Sequence, residues 1–179
     1  MQDPTVQKIA PSFMTLWLTG RPCSGKSTIA WRLREEMNLR GIHTAYLDGD
    51  DVRGKLSADL GFSDKDRHEN LRRVAHVAQL FNENASFVIA GFVSPTEDMR
   101  DLVRGIVKNF KLCYVRCSLE TAEKRDVKGM YKKARAGLIK DFTGIGSPFE
   151  EPKNAEIVVD TDKYNLEKCV KQILKELGI

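Results

Sequence analysis

A chain of 179 residues with a formal net charge of +4 fits one ordinary domain, and such a domain buries about 70% of the surface its unfolded chain exposes, so no disulfide or metal is needed to hold it together. The charge is mild: it suits an enzyme that handles polyanions and is too weak to argue for nucleic acid. No apolar run approaches the roughly 20 residues of a membrane helix, and residues 1–12 read as a polar tail without a signal core, so a cytosolic protein is expected.

From residue 13 onward strand and helix signals alternate. Residues 14–19 (MTLWLT) form an apolar run that stops at Gly20. Residues 26–39 are helical, with Ile29, Leu33 and Met37 on one face and Gly41 as a stop. Residues 44–47 are a second strand ending in Asp48-Gly49-Asp50. Ser63 caps a long helix over residues 64–84, with Leu71, Val74, Ala78 and Phe81 on one face. Residues 87–90 are a third strand. Ser94-Pro95-Thr96-Glu97 reads as a capping box with proline at the first helical position. Residues 112–117 are a fourth strand, Ser118 caps a short helix, residues 157–160 are a fifth strand, and Leu166, Val170, Ile173, Leu174 and Leu177 mark a closing helix.

Strands that are apolar on both faces and separated by helices imply a parallel sheet covered on both sides. Right-handed crossovers then bring all strand C-terminal ends to one edge, where ligands bind. Gly20, Asp48, Asp50 and Ser94 fall there. Residues 127–153 break the rhythm: basic and Gly-containing, without a clean period, yet too apolar for a disordered linker. A loop of this length is expected to be a lid. Of the four cysteines, Cys113 and Cys117 lie about 13 Å apart along a strand, too far for a disulfide, and read as buried thiols; Cys23 and Cys169 have no evident partner.

Gly20-Arg21-Pro22-Cys23-Ser24-Gly25-Lys26-Ser27 matches G-x-x-x-x-G-K-[ST], after a strand and before a helix, which is the context the motif needs. Its backbone N–H groups can turn inward on a phosphate, assisted by the helix N-terminus. Lys26 reaches the β- and γ-phosphates and the Ser27 hydroxyl ligates magnesium. The chain is therefore expected to be a P-loop NTPase-fold α/β protein, with a five-stranded parallel sheet, helices on both faces and a lid in the C-terminal half. ATP is expected on Gly20, Arg21, Pro22, Cys23, Ser24, Gly25, Lys26, Ser27 and Thr28. Asp51-Val52-Arg53-Gly54 formally matches the D-x-x-G of GTPases, but no N-K-x-D guanine motif accompanies it. In Asp48-Gly49-Asp50, two carboxylates near the phosphate loop can orient an acceptor hydroxyl, take its proton or hold a magnesium water; alternatively, the triplet is an acidic turn capping a short helix.

Further motifs follow in order. Asp48-Gly49-Asp50-Asp51-Val52-Arg53 precedes Leu60-Gly61-Phe62-Ser63 and Asp66-Arg67-His68-Glu69-Asn70-Leu71-Arg72-Arg73. Then come Val93-Ser94-Pro95, the run from Arg125-Asp126-Val127-Lys128-Gly129-Met130-Tyr131-Lys132-Lys133 through Ala134-Arg135-Ala136-Gly137, and Phe142-Thr143-Gly144-Ile145. This series closely resembles the adenylyl-sulfate kinase (APS kinase) family over residues 14–162. The resemblance implies an ATP- and Mg2+-dependent transferase that phosphorylates the 3′-hydroxyl of adenosine 5′-phosphosulfate (APS) for sulfate assimilation. It implies that Phe62 and Phe142 sandwich the acceptor's adenine, which suits two flat apolar faces. Arg53 and Arg67 would bind the phosphosulfate, with Asn70 and Lys128 beside them and Val93 and Asp141 lining the pocket. Asp50 would prepare the hydroxyl and share magnesium with Ser27, while Arg125, Lys132, Lys133, Arg135 and Lys140 would surround the phosphates.

Ser94 has two readings. Some bacterial members of the family carry a phosphoserine here, so it is a catalytic candidate; a helix cap accounts for it without covalent chemistry and is preferred. The chain departs from the family at Arg21-Pro22-Cys23, where small residues and glycine are usual. Thr96 stands for an aromatic, Asp141 for a glycine and Leu138 for a glutamate. A kinase for another nucleotide and a catalytically silent sensor of the product nucleotide are the rival readings; intact Lys26, Ser27 and Asp50 oppose the second. A homodimer and functional coupling to a sulfate adenylyltransferase are the partners considered, with no nucleic acid and no membrane.

Overall fold

The computed structural model describes residues 13–179; the tail expected over residues 1–12 lies outside them. Five parallel strands form the sheet, in order β2-β3-β1-β4-β5: β1 (Thr15–Thr19), β2 (Thr44–Asp48), β3 (Phe87–Gly91), β4 (Phe110–Arg116) and β5 (Ile157–Asp160). The helices are α1 (Lys26–Leu39), α2 (Gly49–Gly54), α3 (Asp64–Glu83), α4 (Glu97–Ile106), α5 (Leu119–Lys124), α6 (Met130–Arg135) and α7 (Leu166–Leu177).

Alternation along β1 divides the core. Leu16 and Leu18 face Ile29, Leu33 and Met37 of α1 and Val170, Ile173 and Leu174 of α7. Trp17, between them, faces Leu71, Val74 and Ala78 of α3 and Met99 and Val103 of α4. Each face of the sheet is thus dry, which is why its strands read as continuous apolar runs. Truncating a fully buried member such as Leu33 to alanine is expected to cost about 2–5 kcal/mol. Phe81, assigned to the buried face of α3 from periodicity, is 38% exposed; in the last turn Asn82, not Phe81, takes the buried face, beside Thr15 of β1.

The helix ends follow local chemistry. Ser63, Ser118 and Asn165 accept the amide hydrogens of Asp66, Thr121 and Lys168 through their side chains, each satisfying a donor that the first helical turn leaves free. Because all strands run the same way, β1, β2, β3 and β4 deliver Gly20, Asp48, Phe92 and Cys117 to one edge. The order reverses around β1, so the crevice there is the expected ligand site. The stretch at 127–153 contains α6, which its mixed composition had hidden; its left-handed N-cap, Gly129, sits at φ +65°. All four cysteines are free thiols.

Candidate active site

The phosphate loop leaves β1 and enters α1. Gly20 is required by close packing: a Cβ there would lie 2.5 Å from the Val115 carbonyl oxygen. Cys23 holds a left-handed conformation at φ +61°, which glycine adopts at no steric cost. Lys26 Nζ donates to the Gly20 and Arg21 carbonyls, both at 2.8 Å. Among the described residues no carboxylate pairs with it, and burial pulls its pKa down to about 8. Ser24 Oγ is buried without a hydrogen-bond partner. An unpaired hydroxyl, a lysine satisfied only by carbonyls and a left-handed turn at a helix N-terminus together suit a phosphate chain.

Around the loop, Tyr131 of α6 donates to the Pro22 carbonyl at 3.0 Å. Thr161, just past β5, lies 3.0 Å from both the Ser24 carbonyl and Arg125 Nη1. Arg125, expected around the phosphates, is thereby tied to Thr161 at the rim of the loop. Arg21 turns outward: its guanidinium lies 5.0 Å from the Phe149 ring centre and 3.6 Å from Glu151. Thr28 is exposed on the first turn of α1.

Of the two acidic residues after β2, Asp48 is the one that meets Ser27. Ser27 Oγ donates to Asp48 Oδ2 at 3.1 Å. The same oxygen accepts from the Tyr46 hydroxyl at 2.5 Å, and Oδ1 accepts from the Asp50 amide at 2.9 Å. Burial pushes the Asp48 carboxyl up, but the Tyr46 hydroxyl and the Asp50 amide outweigh it, and the group sits below the usual carboxylate range. Asp48 therefore caps α2, the structural reading of the acidic turn, and also faces the phosphate loop. A serine hydroxyl beside an ionised carboxylate is a hard-oxygen set that fits magnesium bound largely through phosphates and water. Among the described residues no cluster of three or more His, Cys, Asp or Glu side chains could hold a metal unaided. Asp50 is exposed and pairs with Lys128 at 2.6 Å.

The acceptor-side residues converge on Arg67. Its Nε donates to the Phe62 carbonyl at 2.8 Å and its Nη1 to Thr143 Oγ1 at 2.9 Å, while Nη2 donates to the Asp141 carbonyl. One guanidinium thus joins the turn carrying Phe62 to the segment carrying Phe142. Arg53 stacks on the Phe62 ring at 4.4 Å and donates to the Gly61 carbonyl at 2.7 Å; burial, then the neighbouring Arg67 charge, lowers its pKa. Two cations that raise each other's energy are suited to a bound anion. Asn70 is buried with its Oδ1 unpartnered. Phe62 is 64% exposed, whereas Phe142 packs edge-on against Tyr131 at 4.9 Å. Asp141 sits at φ +57°, a conformation that favours glycine and that aspartate tolerates better than most residues. Arg135 is paired with Glu123, while Lys132, Lys133 and Lys140 are exposed.

Ser94 is not a helix cap. Helix α4 starts at Glu97, its N-cap is Thr96, and no cap-residue side chain bonds the first turn. The Glu97 amide is instead satisfied at 2.8 Å by Glu150, from the far end of the 127–153 segment. Pro95 therefore precedes the helix rather than opening it. Ser94 lies at φ +41°, is 2% exposed, and its Oγ accepts from Trp17 Nε1 at 3.0 Å. Its carbonyl accepts from the buried Arg100 at 2.9 Å, and the half-buried Val93 accepts from Thr19 Oγ1 at 2.6 Å. A serine that caps through its side chain typically has an extended backbone, as Ser63 and Ser118 do and left-handed Ser94 does not.

The family model described as adenylylsulphate kinase matches residues 12–160. The chain belongs to the adenylyl-sulfate kinase family. An adenylyl-sulfate kinase of Bacillus licheniformis is 51% identical over 162 residues, covering 89% of this chain and 82% of the relative. The structure of the Mycobacterium tuberculosis APS kinase in complex with AMPPNP and APS superposes with a TM-score of 0.89 at 38% identity, covering 94% of this chain and 99% of that one. A hexameric APS kinase from Thiobacillus denitrificans gives a TM-score of 0.71 at 28% identity; it covers 94% of this chain, which matches 29% of that longer one.

Within an adenylyl-sulfate kinase fold, the less usual residues of this chain have local accounts. Asp141 and Cys23 keep left-handed backbone without glycine, Arg21 packs on Phe149, and Leu138 is 76% exposed. The sequence alone does not single out Tyr46, Thr161 or Glu150, and it offers Tyr131 only as part of the run from Arg125 to Gly137. Thr161 alone had a usable signal, since it follows the C-terminal end of a strand. Tyr131 and Glu150 act on partners distant in sequence, and Tyr46 acts on a carboxylate two residues along its own strand.

Proposed function

We propose that this protein transfers the γ-phosphoryl group of ATP to the 3′-hydroxyl of APS, giving 3′-phosphoadenosine 5′-phosphosulfate and ADP. The observation that carries the acceptor half of this reading is the three-way bonding of Arg67 to the Phe62 turn and to Asp141 and Thr143. It joins two aromatic-bearing segments beside a pair of guanidiniums, as a nucleotide with an anionic tail requires.

The domain spans residues 13–179, and residues 127–153 form the lid. The loop from Gly20 to Thr28 cradles the phosphates through its backbone, and Lys26 exchanges its two carbonyl partners for phosphate oxygens. Ser27 and Asp48, with Asp50 nearby, would hold magnesium, which would neutralise charge on the phosphates. Phe62 and Phe142 grip the adenine. Arg53, Arg67 and Asn70 take the phosphosulfate, bordered by Val93, Ser94, Asp141 and Lys128. Asp50 lies within reach of Lys128, so an anionic acceptor that draws Lys128 away frees the carboxylate to accept the 3′-hydroxyl proton. The oxygen–phosphorus bond forms at the acceptor while the bond from the γ-phosphorus to the β-bridging oxygen breaks; most of the acceleration comes from alignment and charge. Ser94 positions backbone beside the acceptor and forms no covalent intermediate. A cytosolic location, a homodimer or larger assembly, and coupling to a sulfate adenylyltransferase belong to the same proposal; no described helix is long and apolar enough to cross a membrane.

The test is an ADP-release assay comparing APS with AMP and other nucleotide acceptors. APS should exceed AMP in kcat/KM by at least about 100-fold, as expected when two half-buried guanidiniums lose the sulfate half of their anionic partner. Equal rates with AMP would refute the acceptor assignment.

A further inference from the structure

Tyr46 is a polar side chain at the edge of the site that the roles above do not use. It lies on β2 two residues before Asp48, so the two side chains leave the strand on the same face. Its hydroxyl donates to Asp48 Oδ2 at 2.5 Å. Its ring is fixed from two sides. Trp31 of α1 meets it edge-on at 5.4 Å. On β3, Gly91 leaves the space it needs: a Cβ there would stand 3.4 Å from the hydroxyl. The hydroxyl is therefore a placed donor, not one of several conformers on an open surface.

A carboxylate has about four lone-pair positions. On Asp48, the Asp50 amide occupies one on Oδ1, and Tyr46 and Ser27 share Oδ2. When Ser27 turns its oxygen to an ion, Tyr46 is the remaining bond that keeps Oδ2 from rotating about the side chain's last torsion. We propose that Tyr46 is a positioning residue: it locks the plane of the Asp48 carboxylate and so sets the enzyme's affinity for magnesium in the nucleotide complex. This rests on the reading that Ser27 and Asp48 hold the ion. Outer-sphere hydrogen bonds of this kind change metal affinity by about 10–100-fold when removed.

The experiment uses the full chain with a non-hydrolysable ATP analogue and reads Mn2+ binding by electron paramagnetic resonance. Tyr46→Phe keeps the ring and its contact with Trp31 and removes only the donor. Its Mn2+ dissociation constant should rise by about 10-fold or more. The half-saturating Mg2+ concentration in turnover should rise by the same factor, with kcat at saturating Mg2+ within about twofold. In an Asp48→Asn background, Tyr46→Phe should add no further loss, because its effect passes through that carboxylate. Ser27→Ala separates the two layers of the argument. If it weakens Mn2+ binding while Tyr46→Phe leaves it within about twofold of wild type, the role of Tyr46 is overturned and the ion site stands. If Ser27→Ala leaves the affinity unchanged, the ion site is misplaced and the inference falls with it. An undiminished Tyr46→Phe effect in the Asp48→Asn background also overturns it, since Tyr46 then acts by another route.

Discussion

Lys26 ties the phosphate loop to a proton-linked binding signal. Without nucleotide its Nζ is buried against carbonyls, and its pKa falls to about 8. Triphosphate oxygens replace those carbonyls and favour the charged form, so binding should raise the pKa well above its value in the empty loop. Above about pH 8, nucleotide binding must then draw a proton from solvent. For one group near 8, proton uptake per nucleotide should be about 0.1 at pH 7, 0.5 at pH 8 and 0.9 at pH 9. The association constant should be about 10-fold lower at pH 9 than at its low-pH plateau, or about 1.4 kcal/mol. Titration calorimetry of the non-hydrolysable analogue in buffers of different ionisation enthalpy measures the uptake directly. Lys26→Met should lose it. Uptake that stays near zero at pH 9, or that persists in Lys26→Met, refutes the reasoning. Stability has the matching sign. A lysine of lowered pKa binds fewer protons folded than unfolded between about pH 8 and its ordinary value of 10.5. Its contribution to nucleotide-free stability therefore rises with pH across that window and is least favourable below it.

The remaining predictions concern single side chains. Lys26→Ala should lower kcat by about 100-fold or more at neutral pH, measured under saturating substrates; a tenth of wild-type turnover would refute its charge role. Phe62→Ala should raise KM for APS by about 1–3 kcal/mol of lost stacking without changing the melting temperature, because the ring is 64% exposed. Phe142→Ala should raise KM and also lower the melting temperature, because it strips the cover from Tyr131; an unchanged KM in both variants removes the acceptor sandwich. Ser94→Ala should stay active and lose about 1–3 kcal/mol in denaturant titration, since the buried Trp17 N–H loses its acceptor; inactivity of a folded variant would restore a covalent role. Asp141→Gly should gain several tenths to about 1 kcal/mol from relief at φ +57°, read in the same titration.

What was legible in the sequence followed from periodicity and from contiguous motifs. The five strands, the long helices and the phosphate loop needed only local patterns, because the central strands β1 and β3 are buried on both faces and Gly20 is fixed by packing on Val115. Ser94 misled because Ser-x-x-Glu matches a capping box whatever backbone the serine adopts. Here Trp17 and Arg100, both distant or turned back in the chain, hold the Ser94 segment in left-handed geometry. The cap on α4 comes from Glu150, 53 residues away along the chain, and spacing cannot reveal it. Asp48 and Asp50 were seen as a pair, but which one faces Ser27 depends on strand pleat and on the turn into α2. Helix α6 was missed because a six-residue helix gives less than two turns of pattern.

The most direct test of the account is to identify the product. Incubation with ATP, Mg2+ and APS, followed by mass spectrometry and phosphorus NMR of the nucleotide fraction, reports where the phosphoryl group has gone. The account predicts one new product, carrying a phosphate on the 3′-oxygen with the phosphosulfate intact and matched mole for mole by ADP. Phosphate appearing at another position, or ADP formed with APS unchanged, would contradict it.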